Sequence, residues 1–364
     1  MIWSQEERKK RVLVAMSGGV DSSVAAYLLR EQGYDCIGAT MKLYGNDLLG
    51  ESKSHTCCSL DDVEDAKQVA RRLGIPHYVF NFSEDFEEKV IRHFVESYQQ
   101  GKTPNPCIDC NRYLKFDRLL RRANELGCDF VATGHYAKVV EDRGFRRLEK
   151  AADLERDQSY VLSYTTKEQL DHILFPLGGL RKQEVRRIAE EQGFRNARKH
   201  DSQDICFVPD GDYVGFLERY TGEKCREGAL LDPGGAVLGA HRGAAAYTIG
   251  QRRGLGFAAG ERVYVCGKCM EDNTVTVGPE ELLWSKALLA DDWNWLVPPS
   301  GEPLSAAAKV RYRQPDQACV VRVQEDGTVR LDFTQPQRAV APGQIVTVYQ
   351  GDTVLGGGTI LRAL

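Results

Sequence analysis

The chain has 364 residues, 42% of them hydrophobic, and 48 Lys and Arg against 52 Asp and Glu give a formal net charge of −4. That length suits two or three domains with ordinary cores, and a pI near 6.0 argues against a general nucleic-acid coat while allowing a local basic surface. No run approaches the roughly 18 apolar residues of a membrane span, Met1 to Lys10 lacks a signal-peptide core, and eleven cysteines are not the framework of a small secreted protein, so a cytoplasmic protein is expected.

In chain order, the apolar run Val12-Leu13-Val14-Ala15-Met16 reads as a strand, Ser17-Gly18-Gly19-Val20-Asp21-Ser22-Ser23 as a tight loop, and Val24 to Leu29 as the helix that follows. Adjacent glycines let successive N–H groups converge on an anion at the positive end of that helix, so the ligand expected there is a phosphate group. The loop lacks the Gly-Lys-Ser/Thr ending of a Walker A motif and the G-x-G-x-x-G of a dinucleotide fold. Read without a ligand, it is a Ser/Gly turn in which Asp21 and Ser22 only start a helix.

A second strand is expected over Tyr34 to Met41, a helix where Val63, Ala66, Ala70 and Leu73 recur at helical spacing, and a third strand at His77 to Phe82. A helix covers about Glu84 to Gln99 and a loop Gly101 to Asn111. Another helix follows with Phe116, Leu119, Leu120, Ala123 and Leu126 on one face, then a strand at Asp129 to Ala132. Strands alternating with helices predict an α/β domain with a parallel sheet, whose ligands sit beyond the C-terminal strand ends where the Ser17 loop lies. A hairpin is expected around Asp142-Arg143-Gly144, with helical stretches at Lys167 to Leu170 and Glu184 to Gln192.

Beyond Asp210 glycine becomes frequent and short strands are expected at Ala244 to Ile249, Arg262 to Cys266 and Thr274 to Val277. The last eighty or so residues carry runs at Ala307 to Tyr312, Cys319 to Val323, Thr328 to Phe333, Ile345 to Tyr349 and Thr353 to Ile360, the pattern of a small β-barrel or sandwich. The expected domains are residues 1–209, a catalytic domain with a helical extension; 210–282, a β-rich module; and 283–364, a C-terminal β-barrel.

Two loops carry thiols. Thr103-Pro104-Asn105-Pro106-Cys107-Ile108-Asp109-Cys110-Asn111 is stiffened by two prolines and holds a C-x-x-C, which suits metal binding or redox chemistry. Lys199 to Phe207 places Cys206 in a polar, partly basic loop that favours a thiolate, although a buried structural cysteine is the commoner fate of one Cys. Cys266-Gly267-Lys268-Cys269 is far from the first pair and has no nearby His, so no zinc site is expected; Cys57-Cys58 is given no role.

The string S-G-G-x-D-S resembles the pyrophosphate loop of the ATP pyrophosphatases, which split ATP between its α- and β-phosphates and leave AMP on a substrate oxygen. Joined to Thr103-Pro104-Asn105-Pro106, Cys110-Asn111, Gly134-His135-Tyr136-Ala137, Asp157-Gln158-Ser159-Tyr160, Asp201 to Phe207 and Tyr247 to Gly256, it resembles the bacterial tRNA-specific 2-thiouridylases from near residue 11 to the C-terminus. That resemblance implies ATP-dependent adenylation of the C2 oxygen of a wobble uridine in tRNA, followed by sulfur transfer from a persulfide on Cys206. Cys110 is then the second catalytic thiol, and a disulfide with Cys206 remains for reduction. A sulfur donor such as a cysteine desulfurase or a relay protein is implied as a partner.

The resemblance places Ala15, Met16, Ser17, Gly18, Gly19, Val20, Asp21, Ser22 and Ser23 around the ATP phosphates, Met41 beside the adenine, and Gly134 after the fourth strand. Departing pyrophosphate implies Mg2+. It assigns tRNA contacts to Asn105, Pro106 and Cys107 near the target base, and to His135, Arg156, Asp157, Gln158, Arg311, Tyr312 and Gln344. Basic residues also gather at Arg181-Lys182 with Arg186-Arg187, at Arg195, Arg198 and Lys199, at His241-Arg242 with Arg252-Arg253, and at Lys309 and Arg313 around Tyr312. One departure stands out: Cys107 replaces the aspartate that usually follows Asn-Pro, and Asp109 comes two positions later. Cys107, Cys110 and Cys206 together suit an iron-sulfur cluster as an alternative to the persulfide. A pyrophosphate-loop enzyme adenylating a small molecule is the other alternative; it needs neither Cys110 nor Cys206.

Overall fold

The computed structural model describes residues 8–45, 60–199, 205–256, 262–299 and 303–364. Contacts divide the chain into two compact units: Met1–Glu87 with Asp109–Pro209, and Glu88–Ile108 with Asp210–Leu364.

The first unit is built on β1 (Arg11–Ala15), β2 (Asp35–Lys42), β3 (His77–Asn81) and β4 (Phe130–Ala132), then the hairpin of β5 (Lys138–Asp142) and β6 (Phe145–Glu149), then β7 (Ile173–Leu174). Its sheet runs β3-β2-β1-β4-β7, and every pairing in it is parallel. The central strand is inaccessible on both faces, as a parallel sheet requires: Val12, Leu13 and Val14 are each 0% exposed. Helix α1 (Val20–Glu31) lays Val24, Ala25, Ala26 and Leu29 into this core, which it shares with Ala66, Val69, Ala70 and Leu73 of α2 (Leu60–Leu73). The strand expected at His77 to Phe82 is β3; it forms an edge of the sheet, and its Tyr78 and Val79 are exposed.

The expected helix over Glu84 to Gln99 is present as three joined pieces, Ser83–Phe86, a π-helical Glu87–Ile91 and Arg92–Gln99. The loop expected through Asn111 ends earlier. Helical structure starts at Pro106–Asp109 and continues as a nine-residue π-helix, Cys110–Arg118, into Leu119–Glu125. The Asn105 carboxamide oxygen accepts from the Cys107 N–H at 3.2 Å. Asn before Pro at a first helical position is itself a helix-start signature, since proline lacks only an N–H that has no partner there.

In the second unit, Tyr213–Thr221 is a helix, and β8 (Gly228–Leu231), β9 (Val237–His241), β10 (Tyr264–Cys269) and β11 (Thr274–Gly278) form a sheet in the order β10-β11-β8-β9. Its core joins Val214, Leu230, Tyr247, Val265, Val275 and Val277. The strand expected at Ala244 to Ile249 is instead one 3-10 turn, Ala244–Ala246, leading into extended backbone at Tyr247. Three alanines lack the branched bulk that favours a pleated surface. The remaining strands are β12 (Trp284–Trp295), β13 (Leu304–Lys309), β14 (Gln317–Val323), β15 (Val329–Arg338), β16 (Ile345–Gln350) and β17 (Thr353–Ala363). They pair in the order β12-β15-β14-β13-β16-β17, and β17 pairs back onto β12. The result is a closed six-stranded barrel around Leu288, Val310, Val321, Leu331, Val346 and Val348. Among the described residues no helix is long and apolar enough to cross a membrane.

Candidate functional site

The Ser17 loop leaves β1 at its C-terminal end and enters α1. Gly18 has φ +76°, and an added Cβ would strike the backbone of Asp62 in the first turn of α2. Only glycine reconciles that conformation with that approach. The cap of α1 is Gly19, and no side chain caps it. The nearby hydroxyls point elsewhere: Ser22 Oγ and Ser23 Oγ both donate to the Gly19 carbonyl, at 3.0 and 2.9 Å, while Ser17 N–H donates to Ser22 Oγ at 3.2 Å. The start of α1 thus keeps backbone donors for an external anion, with the helix dipole behind them.

Gly134 closes the second wall. It follows β4, and a Cβ there would lie 2.8 Å from Ser22 N and 2.9 Å from the Asp21 carbonyl carbon, so the chain after β4 rests directly on the start of α1. Met41, half-buried, ends β2 on the same side of the sheet, and Met16 N–H donates to Ala39 O at 2.8 Å. These placements bring Ala15 to Ser23, Met41 and Gly134 to the C-terminal ends of adjacent strands.

Three residues that sequence reasoning did not assign to this loop hold it in place. Lys182 Nζ donates to both Asp21 carboxylate oxygens, each at 2.8 Å, and Tyr136 OH donates to Asp21 Oδ1 at 2.8 Å. The Lys182 ammonium also lies over the Tyr136 ring, 5.8 Å from its centroid. Lys182 is nearly buried, at 8% exposure, which removes it from the basic surface cluster expected around Arg181. One signal was present in the sequence: Lys182 is the first residue of the helix Lys182–Glu191, where the dipole disfavours a cation, so its charge belongs to something other than that helix. The third residue is Asn196. Its amide nitrogen donates to Gly18 O and to Ser23 Oγ, both at 2.9 Å. Because Ser23 Oγ donates to Gly19 O and Gly18 O is a carbonyl, the amide has only one workable orientation.

Cys110 is buried at the start of the π-helical segment, and the neighbouring Asn111 donates to Val161 O at 2.9 Å, which ties this turn to the segment Ser159–Leu162. Cys206 is half-buried. Its carbonyl accepts from Tyr44 OH at 2.8 Å, the Tyr44 ring packs on Phe86 at 5.7 Å, and Phe86 meets Phe207 edge-on at 5.7 Å. An aromatic brace thus fixes the turn that carries Cys206. The cation expected beside that thiol is engaged elsewhere: Lys199 Nζ donates to Asp62 Oδ1 and, at 2.8 Å, to Asp65 Oδ2. Burial pulls the Lys199 pKa down, yet the hydrogen bonds and charges of the two aspartates outweigh it and leave the pKa raised. His200 to Asp204, and Cys57-Cys58, lie outside the described residues.

The residues expected at tRNA divide by environment. His135 is buried; its Nδ1 lies 2.6 Å from Thr133 Oγ1 and its Nε2 3.5 Å from Lys115 Nζ. Burial, and then the Lys115 charge, holds its pKa well below the ordinary value, so the ring is neutral at pH 7. Asp157 is also buried, and accepts from Ala151 N–H, Ser159 N–H and Ser159 Oγ. Gln158 Oε1 accepts from Tyr136 N–H at 2.9 Å, while Arg156 is exposed. Cys107 is exposed on the helix that Pro106 begins. Arg311 donates to the carbonyls of Ala339 and Ile249, at 2.8 and 3.1 Å, and Tyr312 beside it is exposed. Gln344 donates to Thr103 O at 2.7 Å. Among the described residues no three His, Cys, Asp or Glu side chains gather as a metal site.

Comparison with known proteins gives consistent matches along the chain. The model described as a tRNA methyl transferase HUP domain matches residues 10–210, that of a tRNA methyl transferase PRC-barrel domain residues 214–279, and that of an aminomethyltransferase beta-barrel domain residues 285–360. The chain is 48% identical to the tRNA-specific 2-thiouridylase MnmA of Clostridioides difficile (strain 630), over 98% of this chain and 99% of that protein. It is 49% identical to the protein of that name from Symbiobacterium thermophilum, over 98% and 93%. It is 48% identical to the one from Geotalea uraniireducens, over 99% and 97%.

Proposed function

Because the chain belongs to the tRNA-specific 2-thiouridylase family, we propose that it uses ATP to activate the wobble uridine of tRNA and replaces the C2 oxygen of that base with sulfur. The observation that supports this most directly is the uncapped start of α1, walled by Gly18 and Gly134 and backed by the Lys182–Asp21 pair, in the same unit as Cys110 and Cys206.

Ser17 to Ser23 fit a chain of phosphates: the loop offers backbone donors, and Gly18 permits the positive-φ turn, packed on the Asp62 backbone, that leads into the start of α1. When bound, ATP supplies AMP as a leaving group for an oxygen that otherwise leaves poorly. Mg2+ suits the charge of the departing pyrophosphate. Lys182, oriented by both oxygens of Asp21, adds a fixed positive charge beside the loop without reorganisation.

Cys206 then carries the incoming sulfur as a persulfide. Its outer sulfur attacks C2 of the activated base and AMP departs with the former C2 oxygen. The Cys110 thiolate next attacks the inner sulfur of Cys206, which releases the thiolated base and leaves a Cys110–Cys206 disulfide. An external reductant restores both thiols, and a persulfide donor such as a cysteine desulfurase or a relay protein reloads Cys206. Water in place of the persulfide would only regenerate uridine, so the aromatic brace of Tyr44, Phe86 and Phe207 serves a second purpose in limiting solvent around that turn. With Cys107 in place of a carboxylate, Asp109 is the acid nearest in sequence to Cys110; it is buried.

The test is nucleoside mass spectrometry of unmodified tRNA after incubation with the protein, ATP, Mg2+, cysteine and a cysteine desulfurase. The expected result is 2-thiouridine with the native protein and none above background with Cys206→Ser or Cys110→Ser. AMP formed from a small molecule without RNA, and no thiouridine under aerobic or iron-reconstituted anaerobic conditions, would overturn the proposal.

A further inference from the structure

The segment that leads into Cys107 is held by a turn more than two hundred positions away. Thr103 N–H donates to Pro342 O at 2.8 Å, and Gln344 Nε2 donates to Thr103 O at 2.7 Å, a separation of 241 positions. Both backbone groups of one residue are therefore satisfied by the β15–β16 connection of the barrel, and Thr103 is 9% exposed. The holding turn is itself rigid: Gly343 N–H donates to Ile360 O at 2.8 Å, Ile360 N–H donates to Gln344 O at 2.7 Å, and Gln344 N–H donates to Ala341 O at 3.2 Å. Contact is close as well as polar, since a Cβ on Gly343 (φ +84°) would lie 2.7 Å from Lys102 Cβ and 3.0 Å from Thr103 N.

From Thr103 the constraint passes along a short, stiff path. Pro104 and Pro106 each fix one backbone torsion, and between them the Asn105 side chain accepts from Cys107 N–H while its carbonyl accepts from Ile108 N–H at 3.1 Å. Little torsional freedom remains between the clamped residue and the side chains of Asn105 and Cys107.

We propose that Gln344 is a positioning residue: through its hydrogen bond to Thr103 O it holds the Thr103–Cys107 segment in the shape that receives the target nucleotide, so the barrel acts on the reaction through this loop. The inference rests on the proposed function for what the loop receives, but the clamp is testable without any substrate. Losing one buried hydrogen bond of ordinary strength should speed amide exchange over residues 103–108 of the free protein by about fivefold.

The experiment compares the native full-length chain with Gln344→Met, which keeps the volume and loses the donor, and Gly343→Ala, which pushes on Lys102 and Thr103 from the other side. Hydrogen exchange is read in the absence of tRNA, and thiolation kinetics are read on tRNA. The expected result is faster exchange over 103–108 in both variants in the absence of tRNA, with a kcat several-fold lower on tRNA. Unchanged exchange in Gln344→Met with weakened tRNA binding would make Gln344 a direct RNA contact and overturn the proposal. Unchanged exchange in both variants would overturn it too. Faster exchange with no thiolation activity in the native protein leaves the clamp standing and refutes the reaction instead.

Discussion

The phosphate loop and the Thr103 loop are both short, rigid connections expected to meet substrate, yet their shapes come from different places. The first is shaped mostly by consecutive residues, two glycines, serines that bond back to Gly19, and the helix it starts, with Lys182, Tyr136 and Asn196 anchoring it from a distance. The second has prolines to limit its freedom but takes its position from the turn at Pro342 to Gln344. A loop whose chemistry uses backbone donors carries its signature in consecutive residues. A loop whose side chains must be placed from outside carries only half of it.

The sharpest way to break this contrast is to attack the support of the phosphate loop at its ionic centre. Lys182→Met should lower the rate of pyrophosphate release by about 100-fold, as expected for losing a preorganised cation next to developing charge. It should also destabilise the protein by about 1–3 kcal/mol, because the partly buried Asp21 loses its ion-pair partner. Single-turnover pyrophosphate release and urea melts read the two effects separately; a rate within threefold of native would remove Lys182 from the nucleotide site.

Asn196→Asp tests the same loop more gently. It puts a carboxylate oxygen against the Gly18 carbonyl, so the KM for ATP should rise about tenfold, the cost of replacing one buried hydrogen bond by a repulsion. Affinity for tRNA alone should not move. If both change together, the two loops share a support and the contrast is wrong.

The smallest effect lies in pH. The buried His135 has a depressed pKa, so its neutral form is favoured by folding; the stability this contributes is complete above the unfolded-state value near 6.5 and declines as pH falls below it. Denaturant melts at pH 7.5 and 5.5 should show a loss in the native chain that is smaller, by up to about 1 kcal/mol, in His135→Gln. Equal losses would mean that other groups, among them His77 and His241, whose pKa values burial also lowers, account for the whole dependence.

Much of the fold was legible because periodicity and punctuation agreed. The strand–loop–helix at Val12 to Leu29, the parallel sheet, the Asp142-Arg143-Gly144 hairpin and the barrel strands from Ala307 onward all carry local signals that point the same way. The failures have local causes as well. Strand β12, at 12 residues the longest among the described residues, was not expected: its Ala, Lys, Asp and Asn residues are poor strand formers, and pairing with both β15 and β17 overrides them. The helix at Tyr213–Thr221 and strands β8 and β9 lie where glycine frequency masks periodicity. In the site, the polar string gave no sign that Asp157 and Gln158 Oε1 also hold the backbone around Tyr136, Ala151 and Ser159. The partners of Asp21 and Gly18 could not be read, since no local pattern links Asp21 to Lys182 or Gly18 to Asn196.

The clamp on Thr103 also has a consequence for synthesis. A ribosome makes Thr103 some 241 positions before Gln344, so the contact that fixes the loop closes a long span and forms only after the β15–β16 connection has been made. Until then the N–H and the carbonyl of Thr103 lack the partners that the finished protein gives them, so the shape of this loop is a late product of folding whatever order the other elements follow.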